Sequence, residues 1–142
     1  MKDANDLFTI DANFILRYLV GDVEDQYKKA ESVLLGVEKG SARVFCDPVT
    51  LSEVVWVLRK FYELDAADAA NALLPLVSLS GFVLPNKARY VAALRLHASG
   101  VDHFGDACAC AAAAEHCGGR LLSFDRELSK IPGIKRLEET PA

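Results

Sequence analysis

The sequence predicts an α/β domain of three layers, α/β/α, with a mostly parallel central sheet of four or five strands between the helical layers. Three observations point there. Short apolar runs alternate with longer segments whose apolar residues recur at three- and four-residue spacing. A helix-sized segment between successive strands imposes a right-handed crossover, which makes neighbouring strands parallel. At 142 residues and 51% hydrophobic content, the chain can build one buried core, so residues 1–142 are expected to form a single domain.

The first strand is Leu7 to Ile10, which stops at Asp11. Ala12 to Val20 follows as a helix, with Phe14, Ile15, Leu16, Tyr18 and Leu19 clustered and Gly21 as its stop. Asp22 to Lys39 carries Tyr27, Ala30, Val33, Leu34 and Val37 at helical spacing and is punctuated by Gly36 and Gly40. Arg43 to Cys46 is a second strand. Asp47-Pro48 then opens a helix to about Tyr62, an N-cap acid before the one helical position that tolerates proline. Its packing stripe reads Val54, Val55, Leu58 and Phe61.

Ala66 to Leu79 is a further amphipathic helix that Pro75 should kink or shorten. Phe82 to Leu84 is the third strand. Asn86 to Ser99 is helical by the spacing of Tyr90, Ala93, Leu94 and His97, and an alanine-rich helix from about Phe104 to His116 stops at Gly118-Gly119. Leu121 to Phe124 is the fourth strand. Asp125 starts a short helical turn to Lys130, and Ile134 to Leu137 is a fifth, edge strand before an acidic tail.

Composition excludes several classes. The amino terminus carries acids where a signal peptide needs bases, and the apolar stretches are interrupted or too short for a bilayer, so a cytoplasmic protein without a membrane span is expected. Cys46, Cys108, Cys110 and Cys117 are then reduced core thiols. No C-x-x-C occurs, and Cys108 and Cys110 fall on opposite helix faces, which argues against zinc. The net charge of −4 looks unsuited to a nucleic-acid partner. Four metal-ligating carboxylates would account for that excess, and Lys28, Lys29, Arg59, Lys60, Lys87, Arg89 and Arg95 remain for phosphate contacts.

Four acids stand where such a sheet gathers its ligands, at the carboxyl ends of the strands. Asp11 follows the first strand and Asp125 the fourth. Glu53 lies in the second turn of the helix after the second strand, and Asp106 in the first turn of the alanine-rich helix. Glu53 precedes Trp56 and Val57 by three and four residues, and a lone carboxylate buried on an apolar stripe costs several kcal/mol unless a cation or strong donor faces it. Oxygen ligands suit the hard cations Mg²⁺ and Mn²⁺. Singly, Asp11, Asp106 and Asp125 are also explained as helix-capping acids, and Glu53 as the partner of an Arg or of Thr50.

The segments Thr9 to Leu19 (TIDANFILRYL), Thr50 to Leu58 (TLSEVVWVL), Asp102 to Ala107 (DHFGDA) and Leu121 to Asp125 (LLSFD) resemble, in order, the four motifs of PIN-domain proteins, and most of all VapC-type toxins. The resemblance implies an endoribonuclease in which Asp11, Glu53, Asp106 and Asp125 bind Mg²⁺ or Mn²⁺, with Asn13, Thr50 and Ser123 as supporting polar residues. It also implies RNA as substrate, a small antitoxin protein as partner, and a homodimer. The family often places two acids three apart in its third motif. Here Asp102 and Asp106 are four apart, which leaves Asp102 either an auxiliary acid or the helix cap.

His103 is the histidine nearest this site, while His97 and His116 occupy ordinary helical positions. Ser123 lacks the G-x-S-x-G setting of a nucleophile. Three alternatives stay open: an RNA-processing nuclease of the PIN type without an antitoxin, a haloacid-dehalogenase-like phosphatase, or a non-catalytic protein-binding domain. The phosphatase needs a second aspartate where Asn13 stands.

Overall fold

Strand β1 (Leu7–Thr9) lies parallel to β2 (Arg43–Phe45), and β2 parallel to β3 (Phe82–Val83), in the computed structural model, which describes residues 7–141. Helices occupy every crossover: α1 (Ala12–Val20) and α2 (Glu24–Lys39) join β1 to β2, and α3 (Pro48–Lys60) and α4 (Ala66–Val77) join β2 to β3. After β3 come α5 (Lys87–Ala98), α6 (Phe104–His116), β4 (Arg120–Leu122), a 3-10 turn (Arg126–Lys130) and β5 (Lys135–Leu137). The mixed α/β architecture is the expected one. The five strands among the described residues are all parallel where they pair, but their hydrogen bonds divide them into a sheet of three, β1-β2-β3, and a pair, β4-β5.

The strands are short, and only β2 and β3 contribute fully buried side chains, one each. Val44 and Phe82 are buried in the core, among Ile15, Leu51, Leu58, Leu73 and Leu94 from the helices. The buried stripe of α3 is Leu51, Val54, Val55 and Leu58. Phe61, expected on that stripe, is instead the C-cap and 73% exposed. Pro75 does not end α4, which runs on to Val77. It sits on the exposed face of the helix. α1 and α2 end in left-handed Gly21 and Gly40.

All four cysteines are free. Cys46 and Cys110 are buried and Cys108 is half-buried, but Cys117 is exposed at the end of α6 rather than in the core. Burial first of all pushes the thiols of Cys46 and Cys108 up to about 11, so both stay protonated at neutral pH. No described helix is long and apolar enough to cross a membrane.

Candidate active site

Parallel pairing brings the carboxyl ends of β1, β2 and β3 to one edge, where Ile10 N–H donates to Phe45 O and Cys46 N–H to Val83 O. Each strand there leads into a helix whose first N–H groups need acceptors. Asp11 caps α1, its Oδ1 accepting from Phe14 N–H at 2.9 Å. Asp47 caps α3 through Val49 N–H at 2.8 Å, with Pro48 at the first helical position.

Asp125 plays the same part after β4. Its Oδ1 accepts from Glu127 N–H at 3.0 Å, while its own N–H donates to Ser123 Oγ at 3.0 Å. Ser123 is fixed in turn, since its N–H donates to Leu137 O at 3.0 Å and its carbonyl accepts from Arg136 at 2.8 Å. The loop that carries Asp125 is therefore anchored to β5. One carboxylate oxygen each of Asp11 and Asp125 is left without a hydrogen bond among the described residues.

Asp106 lies half-buried in the first turn of α6, and it lines the same cleft as Asp125. That cleft holds about 470 Å³ and is bordered also by Asp102, His103, Glu127 and Lys130. Asp11 lines a different cavity, of about 710 Å³, beside Phe8, Phe14 and Val33. Glu53 borders neither. Two of the four expected ligands thus line one cleft, and among the described residues no three His, Cys, Asp or Glu side chains are grouped to hold one ion. In chemistry Asp106 and Asp125 do fit a hard divalent cation, being oxygen donors that face water rather than core.

Contrary to expectation, Glu53 is not buried. It is exposed, and Trp56 beside it is 62% exposed. The cause is helical phase: burying Leu51, Val54, Val55 and Leu58 turns Ser52, Glu53 and Trp56 outward, so the carboxylate carries no desolvation cost. Asn13 is exposed in the first turn of α1, and Thr50 is half-buried in the first turn of α3.

Asp102 is not a helix cap. The cap position of α6 is His103, without a side-chain bond, and Asp102 Oδ1 accepts instead from Arg59 Nη2 at 2.8 Å. The same nitrogen reaches Asp102 O at 3.2 Å, and Nη1 reaches Leu64 O at 3.3 Å. Arg59 therefore clips the end of α3 to the start of α6. Residue order gave no sign of this bond across 43 positions. Of the other bases expected to meet phosphate, Arg89 is engaged by Glu115 and Lys87 by Leu79 O.

Residues 8–134 match the PIN domain family. The chain belongs to that family. The matched span contains every one of Asp11, Glu53, Asp106 and Asp125, and PIN domains are in general metal-dependent nucleases that act on RNA. No curated protein matches the chain significantly.

Proposed function

We propose that this PIN domain is a divalent-metal-dependent endoribonuclease using Mg²⁺ or Mn²⁺, and that it is the toxin of a toxin-antitoxin pair, cytoplasmic and homodimeric, with a small antitoxin protein as partner. The observation that carries the nuclease reading is the shared cleft of Asp106 and Asp125 inside the matched span. Asp11 and Glu53 join the proposed ligand set on the resemblance of their motifs alone, since Asp11 lines a separate cavity and Glu53 borders neither. The toxin assignment rests on the resemblance of the four motifs to VapC-type sequences.

The bound cation supplies Lewis-acid stabilisation of the phosphodiester and a more acidic water. The protein's own part is placement. Ser123 and the cap bond to Glu127 orient Asp125, the first turn of α6 orients Asp106, and the Arg59 clip keeps Asp102 from adding a mobile negative charge beside the entering phosphate. Lys130, at the cleft's rim, adds positive charge there, though its ammonium is partly offset by Glu127 at 3.0 Å.

The test is cleavage of a single-stranded RNA by the wild type, Asp106→Asn and Asp125→Asn, with and without Mn²⁺, folding being checked by circular dichroism. The expected loss in each folded variant is about a hundredfold or more. Full activity in both rejects the site. Expression of the wild type alone should arrest growth in the same proportion as it cleaves RNA, and harmless expression of an active nuclease assigns it to RNA processing instead.

A further inference from the structure

A third cavity, of about 290 Å³, opens between α3 and the start of α6. It adjoins the acidic cleft, because Asp102 and His103 border both. Its wall combines chemistry that the ribonuclease reading leaves unused. Ser52, Trp56 and Lys60 follow one another at four-residue intervals and so rise on one face of α3. Trp56 exposes 62% of its surface, an unusual place for the largest apolar side chain. Lys60 makes no ion pair with a described residue, whereas Arg59 beside it is held rigid by Asp102 and Leu64.

His97 lines the cavity and carries a polar atom without a partner among the described residues. His97 is 1% exposed, its Nδ1 is 2.7 Å from Val101 O, and that carbonyl can only accept, so the proton sits on Nδ1. Nε2 is left as a lone-pair acceptor, buried and unpartnered. Phe104 packs edge-on against the ring, at 5.7 Å between centroids and 70°. A buried acceptor without a donor is costly, and a ligand that opened this wall to present an N–H or O–H group would relieve that cost.

We infer that this cavity is a nucleotide subsite, in which a base of single-stranded RNA stacks on Trp56, its phosphate lies against Lys60 and Arg59, and a donor of the nucleotide faces His97 Nε2. The inference rests on the ribonuclease reading and adds where the strand beside the cleaved bond is held. An aromatic face with flanking cations suits nucleobases and phosphates together, and the junction at Asp102 and His103 leads a bound strand into the cleft of Asp106 and Asp125.

Trp56 is the only tryptophan in the chain, so its emission reports on this cavity alone. The full chain, in EDTA to prevent cleavage, is titrated with a fluorescein-labelled ten-nucleotide RNA. Label anisotropy reads binding and tryptophan emission reads the place. Quenching in step with anisotropy is expected, with Trp56→Ala weakening affinity about tenfold, Trp56→Phe restoring most of it, and Lys60→Ala lowering the salt dependence by about one phosphate contact. Binding by anisotropy with unchanged emission, and with Lys60→Ala and Trp56→Ala at wild-type affinity and salt dependence, overturns the subsite while sparing the nuclease. No binding in EDTA overturns it too, and only the absence of cleavage with Mn²⁺ overturns the nuclease as well. Asp106→Asn should lose cleavage yet keep the quenching, which separates the two sites.

Discussion

A single buried imidazole links the core to the pH scale. Burial, above all, lowers the pKa of His97 from its ordinary 6.5, and the Arg59 guanidinium acts the same way, against the opposing hydrogen bond to Val101 and the charge of Asp102. The folded state thus resists a proton that the unfolded chain accepts. Stability attributable to this residue is complete above pH 6.5 and declines as the solution is acidified below it, because there the unfolded state binds more protons. The urea midpoint of the wild type should therefore fall between pH 7 and pH 5, and His97→Leu should be less stable at pH 7 but fall less steeply. Equal slopes in the two proteins would assign the acid sensitivity to other groups.

At the scale of elements, the joint between α6 and β4 turns on adjacent glycines with different constraints. Gly118 and Gly119 both have left-handed backbones, at φ 60 and 84, but a Cβ on Gly118 meets open space, whereas one on Gly119 collides with Gly133 O. Gly119 O also accepts from Lys135 N–H at 2.8 Å, which begins the β4-β5 ladder. Gly118→Ala should cost about 1 kcal/mol and Gly119→Ala on the order of 3 kcal/mol, read from urea midpoints. Similar losses in both would mean that backbone conformation, not the approach of Gly133, is the constraint. These joints explain why the helix ends were legible from residue order. Gly21 after Val20, Asp47-Pro48 before α3 and Gly118-Gly119 after α6 are local signals that act through their own backbone. The site was legible only as far as such signals reach. Asp11 and Asp125 are caps that announce themselves, but the outward turn of Glu53 depends on which face of α3 the rest of the molecule covers, and a run such as Val54-Val55-Trp56-Val57-Leu58 is apolar on every side. The Arg59 clip, the cavity beneath Trp56 and the orphaned nitrogen of His97 are products of packing between elements distant in sequence, so no spacing rule could reveal them.

For the whole molecule the question is what a net charge of −4 does in the presence of divalent ions. Diffuse attraction to an acidic surface binds ions weakly and vanishes when salt screens it. A site formed by the native arrangement of Asp106 and Asp125 behaves differently, because the unfolded chain lacks it: an ion held there stabilises the fold by mass action, about 2.7 kcal/mol at a hundred times its dissociation constant. For a chain of this length that corresponds to a rise in melting temperature of about 5 to 10 °C. Mn²⁺ added at constant ionic strength should raise the melting temperature of the wild type and of Asp25→Asn, an exposed acid in the first turn of α2, and should leave Asp106→Asn/Asp125→Asn unmoved. Asparagine preserves the capping geometry at position 125, so the double variant isolates charge from fold. An equal rise in all three proteins would show that the ion answers to the overall charge of the surface, and the two acids of the cleft would then have no special claim on it.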